Sequence, residues 1–411
     1  MMNKPSLQSF DDALAALLAA AQPVAGEESV ATMAARGRVL AADLVSGIDV
    51  PPADNTQMDG FALRVADLDG QTGVRLKVAQ RIPAGHVGEP LKPKTAARIF
   101  TGAFMPPGAD AVVMQEQTRS EGDEVVIRHL PKPGEWVRRA GEDIARGGVV
   151  LSAGNRLSAQ ALGLAASVGA AHLKVKPRVR VACFFTGDEL VMPGEPLGPG
   201  AIYNSNRFVL RALLEDLGCE TVDLGIVPDS LADTRAALRK ASENADLILT
   251  SGGVSVGEED HVKPAVEAEG ELALWQIAIK PGKPLAFGRV RRSHAQNESA
   301  WFIGLPGNPV SSFVTFLMLV RPFLMRLQGI RRVEPQRLSM RADFAWPRPD
   351  HRREFLRVSF NAGGGLDLFP NQGSAVLTST VRCDGLVDNP PGRAVAPGDS
   401  VRFIPLSSLG A

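Results

Sequence analysis

Cysteine is nearly absent from this chain: three occur, Cys183, Cys219 and Cys383, far apart and in no CxxC arrangement. Three such thiols cannot form a disulfide framework, and a zinc knuckle would lack its ligand spacing. A reducing compartment fits this usage, so the cytoplasm is the expected location. No charge of one sign dominates. The 45 Lys plus Arg balance 45 Asp plus Glu, which removes the basic excess of an electrostatic nucleic-acid binder. No apolar run is read as reaching the roughly 20 residues of a membrane span, so no membrane contact is expected. The opening residues have no basic n-region and no clean cleavage site, because Asp11 and Asp12 interrupt the apolar Leu14, Leu17 and Leu18. No export signal is expected. Glycine and proline are plentiful, 41 and 30, without a repeat period. They predict many turns between short elements. The 411 residues suffice for two to four domains at about 100–200 residues each.

Apolar spacing at Phe10, Leu14, Leu17, Leu18 and Ala21 predicts a packing helix over 9–22, capped by Ser9. From about residue 44 to 139, short β-type runs alternate with PAG, PPG and PKPG turns, which predicts a mostly β subdomain. A Gly- and Ala-rich linking piece with a helix at 158–168 follows. From Arg178, strand and helix alternate: strand 178–185, helix 205–217, strand 220–227, helix 231–242, strand 245–250, further strands at 275–279, 285–287 and 301–303, then a long helix from about 309 to 328. That order predicts a parallel, doubly wound α/β sheet. The remainder, from about 333, reads as a small β-barrel or sandwich.

Open α/β sheets bind ligands beyond the carboxyl ends of their strands, and four polar motifs fall there. Thr186-Gly187-Asp188-Glu189-Leu190 follows the first strand, and by itself is as compatible with an ordinary turn as with a site. The run from Thr250 to Gly257, with Asp260 behind it, supplies three glycines and three hydroxyl residues among eight. Close backbone approach plus hydroxyl donors suits a phosphate. Neither GxxxxGK[ST] nor GxGxxG is present, which disfavours mononucleotide hydrolysis and Rossmann dinucleotide binding. Lys280-Pro281-Gly282-Lys283-Pro284 stiffens a loop that presents two lysines. In the stretch 304–312, Asn308 and Pro309 suit an N-cap and a first helical turn, with Ser311 and Ser312 nearby to assist an anion. Carboxylates beside phosphate sites point to Mg²⁺, and the candidates are Asp188, Glu189, Asp229 and Asp260. Spacing alone leads to a nucleotide-like, phosphate-bearing ligand plus magnesium.

The motifs DNTQMDGFA (54–62), RIFTG (98–102), GEDI (141–144), TGDEL (186–190), IYNSN (202–206), TSGGVSVGEED (250–260), KPGKP (280–284) and GLPGNPVSS (304–312) occur in one order. Over essentially the whole chain the sequence resembles the molybdopterin molybdenumtransferases, the family of MoeA and the gephyrin E-domain. The resemblance implies that adenylylated molybdopterin is cleaved, with AMP released in the presence of Mg²⁺, and that molybdate is inserted into the dithiolene. It implies a multidomain α/β fold: an N-terminal helix (1–26) on the α/β domain, a connecting domain (27–44 and 141–176), a β-rich subdomain (45–140), a molybdopterin-binding α/β domain (177–329) and a C-terminal β-barrel (330–411). It also implies a homodimer whose active site lies in the subunit cleft, with transient contacts to the preceding adenylyltransferase and to downstream molybdoenzyme chaperones.

Carried over residue by residue, the family's functional positions fall on Asp59, Thr101, Asp143, Glu189, Asp229, Asp260, Lys280, Lys283, Pro306, Pro309, an arginine of the Arg352–Arg353 pair and Ser374. Thr186, Gly252, Gly253, Ser255, Asn308 and Ser311 join them as substrate contacts. On this reading Gly252, Gly253 and Ser255 cradle the pterin phosphate, Glu189, Asp229 and Asp260 hold Mg²⁺, and Lys280 and Lys283 face the phosphoanhydride. Lys280, Ser374 and Arg352 suit the molybdate dianion better than the acids do. Asp59, Thr101 and Asp143 position the ligand across the cleft. Arg357 competes with Arg352 for the arginine role. Asn204 stands where the family pattern has Asp, and Phe185 where a small residue is usual. Two other readings are a non-catalytic scaffolding relative, which the full set of acids and lysines disfavours, and a pyrophosphate-cleaving enzyme acting on another nucleotide, which the β-rich region disfavours.

Overall fold

The structure, a computed structural model, describes residues 7–254, 261–292 and 295–410. The N-terminal helix spans Phe10–Ala20, and the Ser9 hydroxyl accepts from the Asp12 N–H at 3.1 Å as its cap. Its Phe10, Ala13 and Leu17 enter the largest hydrophobic core. A short antiparallel pair, Glu28–Ala31 with His172–Val175, and a helix at Ala159–Ser167 capped by Ser158 form a small separate hydrophobic cluster.

Residues 60 to 127 build a six-stranded sheet ordered Ala111–Met114, Gly60–Leu63, Thr95–Ile99, Val74–Ile82, Glu124–Ile127, Thr118–Glu121. Apolar residues fill both of its faces, Phe61, Leu76 and Val113 on one and Ala62, Ile99 and Val112 on the other. Alternate residues of one strand, such as Phe61 and Ala62, therefore serve two cores.

The α/β sheet has the order Glu220–Val227, Arg180–Thr186, Leu247–Ser251, Ala295–Leu305, Pro284–Arg292, Gly270–Gln276. The first four strands are parallel, as expected; the last two pairings are antiparallel. Pro284–Arg292 runs antiparallel to both of its neighbours, since its links are too short for a helical crossover. Arg180–Thr186 is buried from Val181 onward, as a strand covered on both faces must be. Helices Ser205–Asp216 and Leu231–Ser242 cover opposite faces: Leu210, Leu213 and Leu214 join one core, Leu238 and Ala241 the other. A helix at Val262–Glu269, not foreseen from sequence, joins the second.

The long C-terminal helix of this unit comprises Pro309–Thr315, a π-helical stretch at Phe316–Val320 and Arg321–Leu327. Contrary to the sequence reading, Pro309–Leu327 is apolar and long enough to cross a membrane, with mean hydropathy 1.5, but 89% of the window is buried inside the protein. It is a core helix lying against the sheet.

The C-terminal strands pair in the order Leu338–Arg341, Ser400–Pro405, Gly385–Asn389, Arg353–Phe360, Leu366–Leu368, a ring that the Ala342–Leu366 bridge closes. This is the expected small barrel, with Leu356, Val387 and Phe403 inside. One further pairing matters for the site: Ile279–Lys280 adds to Arg353–Glu354 in parallel, so the lysine loop of the α/β unit is hydrogen-bonded to the barrel edge.

Arg353 fastens the same joint. It donates to Asp388 through Nε and Nη2 at 2.6 and 2.7 Å, and to Asp11 of the N-terminal helix at 2.6 Å. Burial pushes the Asp388 carboxyl up, but the Arg353 hydrogen bonds and charge outweigh it and leave the group below the ordinary carboxylate range. Asp388→Asn is therefore expected to cost about 3 kcal/mol in urea unfolding at neutral pH, the usual penalty for breaking a buried pair. A depressed carboxyl contributes stability above its unfolded pKa and loses it on acidification, so the difference from wild type should narrow as the pH falls below about 4.

Candidate active site

The strands ending at Thr186, Ser251 and Leu305 are parallel neighbours, so the motifs that follow them emerge at one edge of the sheet. Asn206, in the first turn of the Ser205–Asp216 helix, clamps two of them. Its Nδ2 donates to Ser251 Oγ and to the Gly307 carbonyl, each at 2.8 Å. The Ser251 hydroxyl in turn donates to the Pro306 carbonyl at 2.9 Å. Two cavities lie on either side of this knot, of about 650 Å³ and 440 Å³, and both are lined by Gly307 and Asn308.

The larger cavity is lined by Thr186, Glu189, Asn204, Ser251, Gly252 and Pro309, among others. Gly252 has φ +99°, and a Cβ there would sit 2.6 Å from the Thr186 carbonyl, so only glycine permits this close approach. Gly253 was expected in the cradle; instead it does not line the cavity and packs beneath it, where a Cβ would meet Val262 at 2.6 Å. The Thr186 hydroxyl donates to Asp229 Oδ1 at 3.1 Å, and the Asp229 N–H donates to Asp188 Oδ1 at 3.3 Å. Asp229 thus stands behind Thr186 rather than on the cavity wall, whereas Glu189 faces the cavity directly. Among the described residues no three acids converge as a metal cluster. Asn204 caps the helix: its Oδ1 accepts from the Arg207 N–H at 3.1 Å. The amide performs the cap that Asp would, without the charge.

The smaller cavity gathers Lys280, Lys283, Pro306, Ser311, Arg352 and Ser374. Lys280 is already paired, with Glu354 at 3.1 Å and Asp350 at 3.5 Å. Arg352 grips Asp350 with two donors, Nε at 3.0 Å and Nη2 at 2.7 Å. These hydrogen bonds hold the Asp350 carboxyl far below the usual range and push the Arg352 guanidinium up. Lys283 is exposed and forms no ion pair among the described residues. Arg353 is committed to Asp388 and Asp11, so Arg352 is the arginine of its pair that lines the cavity. Arg357, 1% exposed, lies behind the Gln372–Ser374 wall and donates to the Gly373 carbonyl at 3.2 Å. Burial lowers it to about 10, which leaves it charged at neutral pH.

The helix start at Pro309 differs from its sequence reading. Asn308 occupies the N-cap position without a side-chain cap bond, and the Val310 N–H is spent on the Ser374 carbonyl at 2.9 Å. That amide joins the barrel loop to the helix instead of remaining free for an anion.

Asp59, Thr101 and Asp143 line neither cavity. Asp59 and Thr101 do meet each other: the Thr101 N–H and hydroxyl both donate to Asp59 Oδ1, at 2.8 and 2.7 Å. Those bonds, with Arg98 nearby, hold the Asp59 carboxyl below its ordinary range. Asp143 sits in an exposed turn anchored by its N–H to the Val50 carbonyl. Ser255 and Asp260 lie outside the described residues. Sequence reasoning missed Asn206, Asp350 and Glu354. Asn206 carried a signal, as a second amide in IYNSN at a helix start; Asp350 and Glu354 gained meaning only through the Lys280 pairing.

Three family definitions match successive parts of the chain: "MoeA N-terminal region (domain I and II)" over residues 8–169, "Probable molybdopterin binding domain" over 182–326, and "MoeA C-terminal region (domain IV)" over 339–406. A molybdopterin molybdenumtransferase of Haemophilus influenzae is 42% identical over 384 residues, covering 91% of this chain and 93% of that protein. Molybdopterin molybdenumtransferase 2 of Mycobacterium tuberculosis is 37% identical over 396 residues, covering 94% and 95%. Two crystal structures of the molybdopterin biosynthesis MoeA protein from Pyrococcus horikoshii superpose with TM-scores of 0.78 and 0.84, at 31% and 28% identity. They cover 97% of this chain and 99% and 100% of theirs. Matched in order from Gln8 to Leu406, and at these identities over nearly its whole length, the chain belongs to the MoeA family.

Proposed function

We propose that the chain inserts molybdate into adenylylated molybdopterin, with Mg²⁺-dependent release of AMP, to form molybdenum cofactor. The coarser assignment, a transferase of molybdenum cofactor biosynthesis acting on molybdopterin and molybdate, follows from its family and from relatives named molybdopterin molybdenumtransferase. The observation that carries the finer reading is the pair of cavities divided by the Asn206 knot. One is lined by hydroxyls, close backbone and Glu189; the other by Lys280, Lys283, Arg352 and Ser374. A ligand with a ring system, a phosphoanhydride and a second anionic reactant needs such a division of labour.

Ser251, Gly252 and Thr186 would hold the molybdopterin phosphate, with Ser255 and Gly253 supporting that loop. Lys283, uncommitted, would neutralise charge developing on the departing AMP. Arg352 and Ser374 offer donors suited to a tetrahedral dianion, with Pro306, Pro309, Asn308 and Ser311 shaping the wall between. Mg²⁺ often takes one or two carboxylates plus substrate phosphates, and Glu189 on the cavity wall with Asp229 behind it supplies two hard oxygen donors; Asp260 would add a third. When bound, the ion would polarise the anhydride.

Asp59, Thr101 and Asp143, remote from both cavities of their own chain, would complete the site from the second subunit of a homodimer. An adenylyltransferase would supply the substrate, and chaperones of molybdoenzymes would receive the product. A reducing cytoplasm suits the three free, buried thiols, of which burial pushes Cys219 to about 12 and Cys383 to about 11.

The test is to incubate the protein with adenylylated molybdopterin, Mg²⁺ and molybdate, then assay AMP and the reconstitution of an apo-molybdoenzyme. Chelation is expected to abolish AMP release. Glu189→Gln should raise the Mg²⁺ needed for half-maximal rate about tenfold or more, as expected when one of a few carboxylate ligands is lost. AMP release that ignores both treatments refutes the metal assignment, and no AMP above background refutes the activity.

A further inference from the structure

We infer that Arg81 is a substrate-contacting residue, reaching from the β-rich sheet of one subunit to the anionic part of the ligand held in the partner subunit's cavities. The inference rests on the reading above and adds to it a residue that no motif pointed to. Arg81 and Arg98 are register partners on the neighbouring parallel strands Val74–Ile82 and Thr95–Ile99. Like charges so placed repel one another, so the pair is unfavourable unless an anion faces it. Both guanidinium groups lie over the Phe100 ring, at 4.5 and 4.6 Å from its centroid.

Their commitments differ. Arg98 donates to the Gly60 carbonyl at 2.8 Å and to Gln115 Oε1 at 2.7 Å, and lies over a second ring, Phe61. Arg81 is exposed, and its side chain makes no hydrogen bond or ion pair among the described residues. Its planar fork is held by Phe100 with every donor free, an arrangement suited to bidentate phosphate contact. Phe100 directly precedes Thr101, whose N–H and hydroxyl hold Asp59. Arg81 therefore opens on the surface that carries the two residues expected to serve the partner's site.

The cavities supply the complementary half of the argument. Of the three cations lining the smaller one, Lys280 and Arg352 are matched by Asp350 and Glu354, which leaves Lys283 as the uncommitted one. A phosphoanhydride together with a molybdate dianion carries more negative charge than Lys283 and the buried Arg357 behind the wall supply, and the charge of a bound Mg²⁺ would be matched by Glu189 and Asp229. Arg81 from the partner makes up part of the difference.

Steady-state AMP release with adenylylated molybdopterin separates the possibilities. Arg81→Ala is expected to raise KM about tenfold with kcat within about twofold, and Arg81→Lys to fall between, because an ammonium keeps the charge without the fork. Thermal unfolding of both variants should match wild type. Mixed dimers then test the route: one subunit carries Arg81→Glu, the other Lys280→Ala with Lys283→Ala. If Arg81 serves the partner's cavities, each mixed dimer holds one intact site, and random mixing restores about a quarter of wild-type activity. No recovery above the parents overturns the contact between subunits, and an unchanged KM in Arg81→Ala overturns the contact itself. A wild-type protein that releases no AMP overturns the functional reading and this inference together.

Discussion

Replacing Asn206 by alanine is expected to lower kcat/KM for AMP release at least about 100-fold while costing the fold only about 1–2 kcal/mol, the range for losing one or two hydrogen bonds. One side-chain nitrogen holds Ser251 Oγ and the Gly307 carbonyl, each at 2.8 Å. Its loss releases two loops at once, and both border a cavity. Displacements near 1 Å at reacting groups cost about 100-fold in rate, whereas a surface-edge carbonyl that gains water costs little stability. Asn206→Asp is the sharper control: its shape is retained, but a carboxylate oxygen cannot donate to the Gly307 carbonyl and repels it. It should be at least as damaging as alanine. Wild-type kcat/KM in Asn206→Asp, with unfolding unchanged, would show that the knot does not position the reactants.

The second large effect is expected at Arg357, and it divides stability from binding. Arg357 donates to Ser379 Oγ at 3.2 Å and to the Phe355 and Gly373 carbonyls at 3.3 and 3.2 Å, while its own backbone exchanges two hydrogen bonds with Gln372 at 2.9 Å. No carboxylate pairs with it among the described residues. A buried cation without a counterion is unfavourable by itself and favours an anion in the adjoining cavity. Arg357→Ala should destabilise the protein by about 3 kcal/mol through a cavity and unmet carbonyls. Arg357→Met, which fills the space and removes the charge but leaves the same carbonyls unmet, should cost less, about 1–2 kcal/mol in urea unfolding. Both should weaken molybdate binding at least about tenfold in equilibrium dialysis. Undiminished binding in the methionine variant would confine Arg357 to a structural role.

The same residues show which features were legible beforehand. Ser9, Ser158 and Gly218 marked helix ends correctly because caps and stops are local: they need only the backbone groups within a turn of them. The strand at Glu220–Val227 and the helix at Leu231–Ser242 were placed to the residue, since apolar periodicity reports directly which face will be buried. The antiparallel direction of Pro284–Arg292 was not legible, because a fully buried strand reads alike in either direction and only its neighbours decide. Lys280 and Lys283 looked equivalent three residues apart in one loop. Pairing of Ile279–Lys280 with Arg353–Glu354, some 70 residues on, brings Lys280 to Glu354 and Asp350 and leaves Lys283 free.

By itself the sequence determined most of the elements, the α/β unit between two β-rich parts, the family, and most of the side chains at the carboxyl edge of the sheet. Those follow from local periodicity, turn chemistry and ordered motifs, which act over a few residues. Tertiary structure alone decided that the edge holds two cavities sharing Gly307 and Asn308, that one amide ties Ser251 to Gly307, that Arg352 lines the smaller cavity while Arg353 and Arg357 are buried, and which cations remain unpaired among the described residues. The physical reason is that charge and hydrogen-bond capacity are shared between partners distant in sequence, so what a residue has left for a ligand is fixed only after folding has assigned the rest.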